Sequence, residues 1–285
     1  MSDQTHGLGG LKYDPTKKAR PPELNVFLAL VAIVAIFEAL GWLFIGDSFL
    51  LNTRDNVDGL FNTQRLQIII LQVSIVGIIG LGVTQVIISG GIDLSSGSIV
   101  GATAMIVMSF AQVATVNGNP NPKAIFGPEF MDLPVIVPVI VGLICGLIAG
   151  MINGALIAYT KIPPFIATLG MMMLLKGLSL VISGTKPIYF NDTPSFQLIS
   201  AQSSITSLIP GLDIPNGVFV MFGVALIAAY VLNRTIFGRY IFALGSNEEA
   251  ARLSGLKVDF WKIMTYATSG MICGIAGLLI ASRLN

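Results

Sequence analysis

Long apolar segments separated by polar stretches constrain the fold of this chain more than any other feature. A helix needs about 20 mainly apolar residues to cross the hydrocarbon core of a bilayer. Only 11% of the 285 residues are charged, which is less than half of the ~25% in a soluble domain. We therefore predict an all-α polytopic membrane protein with about seven transmembrane helices. The predicted spans are residues 24–46, 66–89, 98–116, 134–159, 163–183, 217–233 and 263–282, and the third could be re-entrant.

The N-terminal residues differ from the rest of the chain because they are polar. Residues 1–22 are predicted to form a disordered cytoplasmic tail, and residues 23–285 a transmembrane domain. The apolar run that follows the tail exceeds 20 residues and lacks a small-residue cleavage site. We therefore expect a true span there and not a removable signal peptide.

The basic residues of the loops predict the orientation. Placing the N-terminus inside puts ten Lys and Arg residues in inner loops and five in outer loops. Because cytoplasmic loops carry an excess of Lys and Arg, we expect a cytoplasmic N-terminus. The loop of residues 234–262 then also faces the cytoplasm.

Composition excludes several classes of function. The only histidine, His6, lies in the polar tail, so no histidine metal site or Ser-His-Asp triad is expected. No P-loop motif is present, so the chain is not expected to hydrolyse ATP. The net charge of +1 gives no reason to expect nucleic-acid binding. Cys145 and Cys273 lie in apolar runs and are expected to be core residues.

The loop of residues 234–262 contains a short sequence with its own helix signals. Ser246 is followed three residues later by Glu249, the spacing of a capping box, and Gly255 is placed to end the helix. Glu248 and Arg252 are four residues apart with the acid first, which is the favourable order. A helix of about two turns is not stable alone in water. We therefore expect the flanking spans and a docked partner to hold it.

A polar, glycine-rich stretch separates the second and third predicted spans. Gly90 and Gly91 are expected to break the helix, with positive φ at Gly91, and Asp93, Ser95 or Ser96 is expected to cap the next helix. Irregular backbone near the membrane is tolerated only where it is buried in protein or lines water. Transporters place substrate sites at broken helices. The stretch is therefore either a helix cap at the inner interface or part of a substrate pathway or gate.

One face of the fourth predicted span carries Gly142, Gly146, Gly150 and Gly154. Such stripes of small residues let membrane helices approach closely, which favours tight packing over the lining of a permeation path. Asn153 lies beside the stripe. Its amide either links helices by hydrogen bonding or binds a substrate hydroxyl group.

Two charged residues lie inside predicted spans, Glu38 in the first and Lys176 in the fifth. Intramembrane charges are costly, and they usually face the bundle interior with a partner. The sequence leaves two alternatives open. Glu38 and Lys176 form a pair, or each side chain extends its charged end to the membrane interface.

The loop helix resembles a motif of a known family. Glu249-Ala250-Ala251, followed by Gly255, is similar to the EAA loop of ABC importer permeases, whose short coupling helix docks on an ATPase subunit. The usual Ile-x-Leu-Pro tail of that motif is missing. This departure resembles the ribose, xylose, galactose and inositol branch of those permeases.

Two further stretches resemble the same branch. Residues 90–97 match its Gly-Gly-x-Asp-Leu-Ser-x-Gly signature, with Ser96 in place of the commoner valine. Residues 162–170 are also similar to it, and so is Lys176, where the branch usually has arginine. Permeases of this branch continue through two or three more spans, so the chain is expected to be C-terminally truncated.

The resemblance implies a function and partners. The chain would be the permease subunit of an ATP-driven ABC importer in the bacterial inner membrane, moving a monosaccharide or cyclic polyol. It would work with a second permease copy, ATPase subunits that bind ATP and Mg²⁺, and a periplasmic sugar-binding protein, with no cofactor of its own. Residues 82–98 and 132–170 are mildly similar to inositol permeases, so inositol is the first expected substrate and a pentose the next.

The resemblance and the residue types together give two sets of candidate site residues. The ATPase-coupling set is Ser246, Asn247, Glu248, Glu249, Ala250, Ala251, Arg252 and Gly255. The substrate-pathway or gating set is Gly90, Gly91, Asp93, Ser95, Ser96, Asn153, Phe165 and Thr168.

Two alternative functions stay open at this point. An ion-coupled secondary transporter would need a membrane-buried pair of carboxylates, and only Glu38 qualifies. An ABC permease for branched-chain amino acids would share the coupling helix but not the sugar-branch signature.

Overall fold

The structure is a computed structural model that describes residues 22–46, 48, 50–51, 62–121, 124–186, 188, 196–200 and 214–284. The chain divides into two compact units, Met1–Leu66 and Gln67–Asn285. The predicted N-terminal tail lies outside the described residues except for Pro22.

The first unit contains one long apolar helix, α1 (Pro22–Leu40), which continues as a single π-helical turn over Gly41–Ile45. Gly46 ends it in the left-handed conformation with φ +67°. The Glu38 carboxylate accepts hydrogen bonds from the Ser48 hydroxyl and, at 3.0 Å, from the backbone N–H of Leu50. The charge predicted inside the first span is therefore bonded within its own unit.

The remaining helices are consistent with the predicted all-α polytopic class. They are α2 (Thr63–Ile88), α3 (Ser96–Phe110), α4 (Ile136–Thr160), α5 (Pro164–Ile182), α6 (Asn216–Arg234), α7 (Ile236–Ser246), α8 (Glu248–Leu253) and α9 (Val258–Arg283). Among the described residues, six helices are long and apolar enough to cross a membrane: α1, α2, α4, α5, α6 and α9.

The third predicted span is shorter than expected. It was placed at residues 98–116, but α3 ends at Phe110 and has 15 residues. At 1.5 Å per residue such a helix is about 22 Å long, less than the ~30 Å of the hydrocarbon core. Because α3 contacts α4, α5 and α9 and buries Ile99 and Val107, protein and not lipid surrounds much of it.

A tight hairpin follows α3. Strand β1 (Thr115–Val116) pairs antiparallel with β2 (Asn119–Pro120). The two turn residues, Asn117 and Gly118, have φ +54° and +78°. An Asn-Gly pair with positive φ at both positions is the preferred two-residue hairpin turn, so these two residues favour the observed connection between β1 and β2.

Helices α4 and α9 run antiparallel and form the closest interface of the second unit. A β-carbon at Gly146 or Gly150 would overlap the carbonyl oxygen of Gly270 or Tyr266, and one at Gly154 would lie 2.6 Å from the Ile263 Cα. Backbone therefore meets backbone along this interface. The prediction that the glycine stripe serves tight packing is confirmed.

The C-terminal half of α9 anchors a short segment beyond α5. The Ser282 hydroxyl donates to the Phe196 carbonyl oxygen at 2.8 Å, and the Ser200 hydroxyl donates to the Leu279 carbonyl oxygen at 3.0 Å. The Phe196 side chain is fully buried. These contacts lie at the opposite end of α9 from α8. One end of the bundle therefore carries α8, and the other carries the segment of residues 196–200.

Candidate functional site

The loop of residues 234–262, which the sequence predicts to face the cytoplasm, contains two helices, α7 and α8. They follow α6 almost without interruption. Thr235 is extended and separates α6 from α7, and a β-carbon at Gly238 would overlap the Leu232 carbonyl oxygen, so this corner is tight. Helix α7 buries Ile241 and Leu244. Trp261 at the start of α9 packs on Tyr240 with ring centroids 4.8 Å apart. Apolar and aromatic contacts thus hold α7 against α9.

The ends of α8 agree with the sequence prediction at one terminus and correct it at the other. At the C-terminus, Gly255 has φ +83° and the Leu256 N–H donates to the Ala251 carbonyl oxygen at 3.1 Å, which is a Schellman ending. At the N-terminus the cap is Asn247, whose Oδ1 accepts from the Ala250 N–H at 3.0 Å. The capping box predicted from Ser246 is wrong, because Ser246 still belongs to the last turn of α7.

A network of charges fixes α8 to its neighbours. The predicted pair of Glu248 and Arg252 is confirmed at 3.4 Å, and Lys262 of α9 approaches Glu248 to 2.7 Å. Asp259 contacts Arg252 at 3.6 Å and Lys161, which follows α4, at 2.7 Å. Single exposed pairs stabilise little, but a network restrains geometry. It joins the α4–α5 turn, α8 and α9 at one end of the bundle.

The charges around Glu248 lower its pKa. Burial alone would raise the pKa of this carboxyl, but the hydrogen bonds and charges of Lys262 and Arg252 lower it more. A depressed pKa means that the pairs stabilise the fold at pH values above the ordinary pKa of glutamate, and that this contribution is lost as the pH falls through the lowered value. The network is therefore intact at neutral pH.

One face of α8 is open to solvent. The side chain of Leu253 is 85% exposed, which is unusual for leucine, and Glu249 and Ala250 are also exposed. Only Ala251 is buried beneath the helix. A cleft of about 440 Å³ lies beside it. Its lining residues are Tyr240, Ala243, Ser246, Asn247, Ala250, Ala251, Ser254, Gly255 and Leu256.

The glycine-rich stretch forms a tight turn between α2 and α3. Gly90 has φ +79°, and the Gly91 N–H donates to the Val86 carbonyl oxygen at 2.9 Å, again a Schellman ending. The sequence analysis expected the positive φ at Gly91. This expectation is wrong, because the positive φ lies at Gly90. Gly91 is constrained by space, since a β-carbon there would lie 2.6 Å from the Tyr266 hydroxyl oxygen.

Three polar side chains form a buried chain of hydrogen bonds next to this turn. Asp93 Oδ1 accepts from the Ser95 N–H at 2.8 Å and from the Ser95 hydroxyl at 2.6 Å. The Asn153 amide nitrogen donates to Ser95 Oγ at 2.7 Å. Burial of a carboxylate is costly unless it is hydrogen-bonded, so Ser95 and Asp93 depend on each other. Ser95 precedes α3, but its side chain bonds to Asp93 and makes no cap.

Asn153 is fully buried and makes one of the contacts predicted for it. Its amide links α4 to the residue that precedes α3, which is the interhelical role. Its Oδ1 is buried without a hydrogen-bond partner among the described residues. Of the other pathway candidates, the Ser96 side chain is half-buried at the start of α3. The assignment of these residues to a substrate pathway stays a prediction.

The two pathway candidates on α5 lie in different surroundings. Thr168 is fully buried and its hydroxyl donates to the Pro164 carbonyl oxygen of its own helix at 2.9 Å, whereas Phe165 is 51% exposed. Lys176, further along α5, is also exposed. The pairing of Lys176 with Glu38 therefore stays a prediction, as does the role of Phe165 and Thr168.

Sequence reasoning missed three residues of this region. The Tyr266 hydroxyl donates to the Ile92 carbonyl oxygen at 3.1 Å, and a β-carbon at Gly245 would overlap the Ile88 carbonyl oxygen. Asp259 is a centre of the charge network. A tyrosine within an apolar run that otherwise contains small residues was the available signal for Tyr266. Nothing in the sequence indicated the contact of Gly245 with Ile88, which lies far away along the chain.

The fold and this end of the bundle define a multi-pass helical membrane protein with a capped, exposed helix before its last described span. The sequence profile of one family, the permease component of the branched-chain amino acid transport system, matches residues 65–285. The chain belongs to this family of transport-system permeases.

The relatives with similar sequences are named as sugar permeases. The chain is 32% identical over 263 residues to the ribose import permease protein of Haemophilus influenzae, covering 92% of this chain and 70% of that protein. It is 37% identical over 231 residues to the fructose import permease protein of Rhizobium meliloti, covering 79% and 58%. It is 32% identical over 228 residues to the galactose/methyl galactoside import permease protein of Salmonella typhimurium, covering 78% and 64%. No solved structure matches this chain.

Proposed function

We propose that this chain is the permease subunit of an ABC importer that moves a monosaccharide or cyclic polyol across the inner membrane. The observation that carries the proposal is the similarity to sugar import permeases along 92% of the chain. The six span-length helices within the described part of the chain, together with the absence of a P-loop motif in the sequence, fit a subunit that forms the path while another subunit hydrolyses ATP.

The ATPase, with its ATP and Mg²⁺, would dock on the exposed face of α8. Leu253, Glu249 and the adjoining cleft support this placement, because an exposed leucine beside a concave surface is typical of a protein interface. The charge network would keep α8 attached to α9 and to the α4–α5 turn when the docked ATPase changes conformation. A second permease copy and a periplasmic sugar-binding protein complete the proposed importer, with the N-terminus of this chain in the cytoplasm.

The substrate is best tested by uptake. Cells that lack their own sugar permeases and carry the complete transporter should accumulate at least one of four labelled compounds, namely ribose, fructose, galactose or myo-inositol. The first three are named for the relatives, and inositol follows from the sequence resemblance. Accumulation should stop when the ATPase subunit carries an inactivated P-loop lysine, because that residue holds the ATP phosphates.

Labelled leucine is the control for the alternative that the family name suggests. Uptake of leucine and of none of the four sugars or polyols would contradict the proposed substrate class. Accumulation that survives the inactive ATPase and collapses with the ion gradient would indicate a secondary transporter instead.

The proposed orientation predicts a labelling pattern. After replacement of Cys145 and Cys273, a cysteine at Asn119 should react with an impermeant thiol reagent in intact cells. A cysteine at Lys257 should react only after the inner face is exposed. Both positions are solvent-exposed and lie at opposite ends of the bundle, so they form a matched pair. The reverse pattern would place α8 on the outer face and would rule out ATPase docking there.

A further inference from the structure

The turn between α2 and α3 is held from three sides. Tyr266 of α9 donates to the carbonyl oxygen of Ile92 at 3.1 Å. Asn153 of α4 donates to the hydroxyl of Ser95 at 2.7 Å. Both side chains are almost completely buried, with exposures of 2% for Tyr266 and 0% for Asn153. Because buried hydrogen bonds are electrostatically strong and costly to break, the turn is fixed to the α4–α9 pair.

The third side is the last turn of α7. A β-carbon at Gly245 would overlap the carbonyl oxygen of Ile88 and would lie 3.4 Å from the Gly90 nitrogen. Conversely, a β-carbon at Gly90 would lie 3.9 Å from the Gly245 Cα. The backbone of α7 thus rests directly on the backbone of the turn. No flexible side chain lies between them to absorb a displacement.

Helices α7 and α8 share a residue at their junction. Asn247 ends α7 through its N–H, which donates to the Ala243 carbonyl oxygen at 3.2 Å, and its side chain caps α8. A displacement of α8 is therefore transmitted to Gly245, which lies only three residues before Glu248, the first residue of α8. On the other side of the turn, Ser96 begins α3 directly after Ser95.

We propose that Tyr266 is a positioning residue for transport, which keeps the turn of residues 90–95 in register between α7 and α3. In this arrangement a movement of α8 passes through Gly245 to the turn, and the bonds from Tyr266 and Asn153 convert it into a displacement of α3 against α4 and α9. Interfaces that are packed backbone to backbone shift between discrete positions and do not deform gradually. This inference rests on the proposed function and adds a coupling route within the permease.

The test is the number of substrate molecules transported per ATP hydrolysed by the complete transporter in liposomes. Tyr266→Phe removes only the hydroxyl group and keeps the buried ring. It should lower the transported amount per ATP by about tenfold, within the range by which residues between coupled sites change coupling. Ser95→Ala, which breaks the hydrogen bonds of the Ser95 hydroxyl with Asn153 and with Asp93 without adding volume, should act in the same direction. Tyr230→Phe is the matched control, since Tyr230 is 65% exposed on α6, and its ratio should equal that of the wild type.

Three outcomes separate the alternatives. A lowered ratio in both variants, with ATP hydrolysis still stimulated by the binding protein, supports the coupling route. A proportional fall of uptake and ATP hydrolysis, which leaves the ratio unchanged, means that Tyr266 is only structural. Wild-type rates of both uptake and ATP hydrolysis mean that the turn transmits nothing. Either result overturns the inference. Absence of ATP-driven uptake in the wild type would refute the proposed function itself, which is a different observation.

Discussion

Replacing Gly150 by alanine is expected to cause one of the largest losses of stability that a single methyl group produces in this protein. The added β-carbon would overlap the carbonyl oxygen of Tyr266 and lie 3.0 Å from the Ala267 Cα. Both are backbone positions of the most buried helix, so neither is free to rotate away. Overpacking of this kind costs up to about 3 kcal/mol. The measurement is the apparent Tm of the detergent-solubilised protein, and the expected shift is about −10 °C.

Gly177→Ala is the matched control for this substitution. Gly177 lies in the interior of α5, and a β-carbon there meets nothing within 4 Å. Alanine favours a helix over glycine by about 1 kcal/mol, so this variant should keep the Tm of the wild type or raise it slightly. Equal Tm values for the two variants would mean that α4 and α9 do not meet backbone to backbone.

Reversing the charge of Glu249 is expected to abolish transport while the protein remains folded. Glu249 is exposed and, since Asn247 caps the helix, its loss removes no cap. A lysine in the first turn opposes the helix dipole by only about 0.3–1 kcal/mol. At a docking surface, in contrast, a wrongly placed charge costs several kcal/mol. Binding of the ATPase and substrate-stimulated ATP hydrolysis should therefore fall by at least about tenfold, as measured by co-purification and phosphate release.

Glu129→Lys supplies the control for the effect of charge alone. Glu129 is also exposed but lies between the hairpin and α4, at the other end of the bundle. This variant should bind the ATPase and transport substrate as the wild type does. Normal transport by Glu249→Lys would remove α8 from the proposed interface. Loss of both permease variants, Glu249→Lys and Glu129→Lys, from the membrane would indicate misfolding and not a defect of coupling.

Local signals in the sequence predicted the local structure well. Gly255 ends α8 and Glu248 pairs with Arg252, because each of these features depends on residues within one or two helical turns. The misplaced cap shows the limit of this reasoning. Ser246 and Asn247 are both good N-caps, and the choice between them depends on where α7 stops, which its packing on α9 determines.

The length and apolar character of the segments alone determined that this chain is a helical membrane protein, because a backbone in lipid must satisfy its hydrogen bonds within each helix. The sequence also determined that the four glycines of α4 lie on one face of the helix, since residues spaced by four lie on the same face. Only the tertiary structure decided what that face meets, and that Asn153 and Tyr266 converge on the turn after Gly90 from α4 and α9. Hydrogen bonds between residues 58 and 174 positions apart leave no periodic trace in a sequence. They arise from the way whole helices pack.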